Sequence, residues 1–90
     1  MTPWMWWAET LECDEAPIGE YNIGECDTRD AVIAEALRET RSGDRFEIIE
    51  AQQSTAARYE GADIIPFVRT RNREMLTNVE GRAVALGSPP

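Results

Sequence analysis

Arg69, Arg71 and Arg73 stand at alternate positions in the stretch "PFVRTRNREM", residues 66–75. A guanidinium is a planar fork that grips a carboxylate or a phosphate with two hydrogen bonds. On an extended chain every second side chain returns to the same side, so Arg69 and Arg71 are expected beside Phe67. Arg73 joins them only if the strand continues past Asn72. Such a row fits three chemistries: ion pairing with the chain's own acids, docking of an acidic protein surface, or gripping a phosphate backbone with Phe67 as a stacking platform. The formal net charge of −8 disfavours the nucleic-acid reading. Like charges on an edge strand also discourage unwanted pairing of sheets.

Trp4, Trp6 and Trp7 are the second group able to act. Alternation after Pro3 puts Trp4 and Trp6 on one strand face and Met5 with Trp7 on the other. A chain this short has helices for one side of a sheet, so the second bulky face is either covered by the C-terminal segment or used as a contact with another protein or a second copy.

Catalytic groups are scarce. All nine basic residues are Arg, which removes the Schiff-base amine and the imidazole that serves as general base and metal ligand. Cys13 and Cys26 are the only cysteines, too few without His for a zinc site. Their acidic neighbours raise a thiol pKa, and their placement around the Pro17 turn favours two free thiols. The glycines are isolated and form no phosphate loop. No catalytic residue, metal or cofactor is assigned, and the chain is read as not an enzyme.

The elements that must position these groups follow from period and punctuation. Residues 3–12 read as a strand, "CDEAPIG" as a turn, and "IGEYNIGE" as a short strand with Tyr21 and Ile23 on one face. Residues 28–42 form a helix: Asp27 or Thr28 caps it, Val32, Ile33, Ala36, Leu37 and Thr40 make its apolar stripe, and Gly43 closes it. "RFEIIEA" returns as a strand with Phe46 and Ile48 on one face and Ile49 on the other, which predicts a right-handed crossover between parallel strands. Residues 52–63 are a loop or a single helical turn capped by Ser54. "ADIIPFVRT" is extended, and Pro66 confines it to an edge. Met75, Leu76 and Val79 have the spacing of a short helix ending at Gly81. The fold class is therefore α+β: a small two-layer domain in the order strand, strand, helix, strand, extended segment, short helix. It occupies residues 1–81, with 82–90 as a mobile tail.

Hydrophobic residues at 42% and charged residues at 29% match a folded globular domain. No apolar run approaches the roughly 20 residues of a membrane span, and no signal-peptide pattern opens the chain, so the cytoplasm is the expected location. Residues 1–50 hold 13 acids against 4 Arg, and residues 51–90 hold 4 against 5, giving −9 and +1. This asymmetry can steer a charged partner.

The run "IGECDTRDAVIAEAL" followed by "FEIIEA" resembles short uncharacterised α+β proteins of bacteriophages and prophages. The resemblance implies a bacterial or phage setting and transfers no activity. The expected function is a small acidic interaction module, a regulator or inhibitor of a host protein, binding through Trp4, Trp6, Trp7, Phe67, Arg69, Arg71 and Arg73. One form of it would mimic phosphates with Glu9, Glu12, Asp14 and Glu15. The alternatives are nucleic-acid binding through residues 67–73 and a self-assembling subunit that uses Met5 and Trp7.

Overall fold

The computed structural model describes residues 2–11, 21–56, 60–61 and 66–85. In chain order the elements are β1 (Met5–Thr10), β2 (Ile23–Cys26), α1 (Arg29–Glu39), β3 (Arg45–Gln53), β4 (Phe67–Val79) and β5 (Arg82–Ala85). The strands form one sheet in the order β2-β1-β3-β4-β5, and every neighbouring pair is antiparallel. With one helix against one face of this sheet, the domain is α+β.

The tryptophan alternation of β1 sets the two faces. Trp6 and Ala8 share the helix face with Phe46, Ile48 and Leu76, and Val32 and Ala36 of α1 close over them. Phe46, Ile48 and Val32 are fully buried, and each such side chain contributes about 1.5–3 kcal/mol by leaving water. On the opposite face Trp7, Ile49 and Ala51 form a second buried cluster, with Met5, Tyr21 and Phe67 packed against it. The registers Trp7↔Ile49 and Ala8↔Ile48 show how one strand pair feeds both clusters.

α1 begins where its chemistry predicts: Thr28 is the N-cap, its Oγ1 accepting from the Ala31 amide at 3.1 Å, and Asp30 lies in the first turn. It ends earlier than Gly43. Thr40 is the C-cap in an extended conformation, and Gly43, at φ 96°, instead forms the turn into β3. That turn is held by the Arg41 amide donating to Asp44 Oδ2 at 2.9 Å and the Asp44 amide donating to Arg41 O at 3.0 Å.

β2 and β3 run parallel, but β1 lies between them, so the crossover through α1 spans one strand. β2 is also shorter than expected. Tyr21 precedes it and joins the second cluster, whereas Ile23 joins the first, so the two do not share a face. Between Ile23 and Cys26 the β1–β2 pairing is itself irregular, with Glu25 at φ 60°.

The expected short helix at residues 72–81 is absent. β4 continues to Val79, and Glu80 and Gly81, at φ 51° and 82°, make a two-residue hairpin into β5. Two successive positive φ values are the type I′ geometry whose twist suits such a hairpin. Arg82–Ala85, assigned to the tail by composition, are therefore a strand; residues 86–90 lie outside the described residues. The segment 52–63 divides: Gln52 and Gln53 extend β3, residues 55–56 are helical, and the Glu60 amide donates to Ala56 O at 3.1 Å. The turn around Pro17 and the position of Cys13 fall outside the described residues. No helix among the described residues is long and apolar enough to cross a membrane.

Candidate interaction edge

β4 is paired along its length with β3, but β5 covers its other side only from Leu76 to Val79. Among the described residues no strand lies beside the outer edge of Phe67–Met75, nine residues or roughly 25 Å of extended chain. Pro66 immediately precedes this edge, in keeping with the preference of proline for exposed strand margins.

Two irregularities decide where the edge residues point. The register runs Ile48↔Glu74 and then Glu50↔Arg71, leaving an extra residue in β4 at Asn72, whose φ is 52°. Asparagine tolerates this left-handed conformation better than most residues. The second lies between Gln52↔Arg69 and Gln53↔Phe67. Each shifts the alternation by one place. Arg69 and Arg71 therefore share the helix side of the sheet with Gln52 and Glu50, while Arg73 and Phe67 lie on the opposite side. The single arginine face expected from the sequence is split, and Phe67 is not beside Arg69 and Arg71.

Each side chain has its own environment. Arg71 Nε donates to Glu50 Oε1 at 2.8 Å, Asn72 Nδ2 donates to the same oxygen at 2.8 Å, and the guanidinium lies 3.8 Å from the Trp4 ring centroid. The Arg71 guanidinium holds the Glu50 carboxyl below its ordinary range; burial opposes this and Asn72 reinforces it. Arg73 Nη2 donates at 3.3 Å to both Glu47 Oε1 and Tyr21 Oη, and the Tyr21 hydroxyl donates to Glu47. Burial, followed by the bond to Glu47, pushes the Tyr21 pKa up to about 12. Next along the helix side, Glu74 receives a bidentate contact from Arg29 of α1 at 2.6 and 2.7 Å, and this holds its carboxyl below the ordinary range. Arg69 is exposed and makes no ion pair among the described residues. Val68 beside it is 60% exposed.

Internal ion pairing thus engages Arg71 and Arg73, and leaves Arg69 open. The tryptophans are similarly divided. Trp6 and Trp7 are 8% and 4% exposed and belong to the two core clusters, so neither offers a free surface. Trp4 is half-buried beneath Arg71. Phe67 meets Trp7 edge-on, with ring centroids 5.0 Å apart, and Tyr21 at 5.4 Å. It fills the second cluster and is not a free stacking platform. Met5 packs against that same cluster.

Of the carboxylates considered as phosphate mimics, Glu9 is half-buried in β1 opposite Glu47, and Glu12, Asp14 and Glu15 lie outside the described residues. Cys26 is a half-buried free thiol whose pKa is raised by burial and by Asp27. A cleft of about 100 Å³ lined by Thr2, Pro3, Met5, Trp7, Glu25 and Gln53 is small against the roughly 300–1,000 Å³ of ordinary ligand sites. Among the described residues no group of three or more Cys, Asp or Glu is placed to hold a metal ion.

The chain matches no protein-family model, no curated protein and no solved structure.

Proposed function

We propose that this chain is a small, acidic, non-catalytic protein-interaction module, acting in a bacterial or phage setting as a regulator or inhibitor of a host protein. The observation that carries the reading is the open margin of β4, Phe67–Met75, where Val68 is 60% exposed and Arg69 has no ion-pair partner among the described residues. Exposed backbone donors and acceptors on a sheet edge are a general means of capturing an extended segment of another protein. The helix, by contrast, has turned its apolar residues Val32 and Ala36 inward.

The carboxylates best placed around this edge already have structural duties. Glu47, Glu50 and Glu74 are each tied to an arginine. That arrangement favours a fixed docking surface over acid–base chemistry, which needs a carboxyl free to exchange its proton with a substrate.

A nuclease-treated pull-down from a bacterial lysate tests the reading, comparing wild type with Arg69→Ala and Val68→Asp, each verified as folded by circular dichroism. Neither variant disturbs an ion pair described above. The expected result is a protein retained by wild type and lost or strongly reduced with both variants. Equal retention by all three, or retention of nothing, contradicts docking at this edge.

A further inference from the structure

The chemistry of the edge narrows the kind of partner it fits. Resting on the docking function proposed above, we infer that the outer edge of β4 receives an extended segment of another protein bearing carboxylates at alternate positions, added as a sixth strand.

The shift of alternation at Asn72 sends Arg73 to the other side of the sheet. It leaves Arg69 and Arg71, two residues apart, on the same side of the sheet, facing away from the second cluster. A strand laid against this edge places its side chains directly across from them at about 4.5–5.5 Å between Cβ atoms, and its own alternation repeats every second residue. Two carboxylates two residues apart therefore meet Arg69 and Arg71 together. Arg69 has no competing ion pair among the described residues. Arg71 uses Nε and Nη2 toward Glu50, at 2.8 and 3.4 Å, and a guanidinium has further N–H donors to offer an incoming acid.

The same residues disfavour other occupants. β5 covers β4 from Leu76 onward, so a second copy must pair within Phe67–Met75. Two such edges centred on their middle residue set Arg71 against Arg71, and like charges opposite one another destabilise a sheet pair. A basic segment meets the same obstacle at Arg69. For a phosphate backbone, the aromatic platform is missing, because Phe67 is packed against Trp7 and Tyr21 on the other side. The edge is thus guarded against its own kind while complementary to an acidic strand.

The test uses two capped nine-residue peptides, one alternating Thr and Glu and the other alternating Thr and Lys, titrated into the full ¹⁵N-labelled chain at low salt and followed by amide shifts and hydrogen exchange. For wild type, the Glu peptide is expected to bind at least tenfold more tightly than the Lys peptide, to slow exchange within Phe67–Met75, and to weaken as salt is added. Arg69→Glu, which removes no ion pair described above, is expected to reverse the order of the two peptides. Equal affinities at the edge overturn the acidic preference while leaving edge docking intact. Shifts confined to other elements, or no binding of either peptide, overturn the added-strand inference, and the lysate capture then decides separately whether the chain binds a protein at all. Sedimentation showing a dimer whose contact protects Phe67–Met75 overturns it in favour of a second copy.

Discussion

The Arg71 guanidinium lies 3.8 Å from the centroid of the Trp4 ring while its Nε donates to Glu50 at 2.8 Å. One arginine thereby joins the segment before β1, the central strand β3 and the open part of β4. Replacing it with Ala removes a cation–π contact and a partly exposed ion pair together, a loss of about 1–2 kcal/mol from their usual magnitudes. Urea unfolding followed by circular dichroism checks this. Arg71→Lys is expected to recover only part of the loss, because an ammonium cannot reproduce the planar stack and the fork at once.

Gly24 in β2 lies under the Trp7 indole. A Cβ built there would stand 2.3 Å from Trp7 Cδ1 and Nε1, so the ring rests directly on the glycine backbone. Trp7 is 4% exposed and has little room to withdraw. Gly24→Ala is therefore expected to cost about 1–3 kcal/mol through overpacking, visible as a lowered Tm and a changed tryptophan emission. Gly43→Ala meets no atom within 4 Å and strains only a positive φ, so its emission should stay that of wild type.

Asn78 ties the helix end to the β4–β5 hairpin. Its side chain is in a residue only 3% exposed, donates to Thr40 Oγ1 at 3.0 Å and Thr40 O at 3.3 Å, and accepts from the Gly81 amide at 2.9 Å. Asn78→Ala leaves the buried groups around it without these partners, at an expected cost of about 1–3 kcal/mol. Asn78→Asp restores the acceptor but not the donor, so it should recover the Gly81 contact and not the helix contact. Amide exchange at Gly81 separates the two effects.

Stability should fall in acid through Glu50 and Glu74. Both carboxyls are held below their ordinary range in the folded chain, by Arg71 and Arg29 respectively. Their contribution is fully present above the unfolded carboxylate pKa of about 4.3 and is lost as pH falls through the depressed folded values. At the alkaline end the sign reverses for Tyr21, whose pKa is raised from 10.0 to about 12. The unfolded chain ionises first, so this contribution is complete below pH 10 and disappears as pH rises to about 12. Glu50→Gln is expected to flatten the acid limb and Tyr21→Phe the alkaline limb, as read from thermal unfolding at each pH.

Much of this architecture is legible in the residues themselves. Thr28 caps α1, Val32 and Ala36 mark its buried stripe, and the alternation of Trp6 with Trp7 and of Ile48 with Ile49 assigns both sheet faces. The C-terminal third misleads because Met75, Leu76 and Val79 have a spacing that suits a helix and also occurs on a long strand. "VEGR" carries the missed signal: a two-residue turn with glycine second, flanked by residues able to pair, which is hairpin chemistry even with glutamate in the first turn position. The candidate site was harder to read. Its row of arginines is visible, but which side each occupies depends on the irregularities at Asn72 and between Phe67 and Arg69, and a bulge reverses the alternation without changing composition. The partners Glu47 and Glu50, three residues apart on β3 and so on opposite faces, become legible only once β3 and β4 are known to pair.

Hydrogen exchange on the free 90-residue chain is the decisive test of whether the β4 edge is open. If Phe67–Met75 has an uncovered outer margin, its amides should divide into two sets: slow ones bonded to β3, and fast ones facing outward, with exchange slowed again when a captured partner or the acidic peptide is added. Leu76–Val79, flanked by β3 and β5, should contain no such fast set apart from the turn. Uniform protection throughout Phe67–Met75 in the free monomer would mean that the edge is already occupied, and would contradict this account of its function.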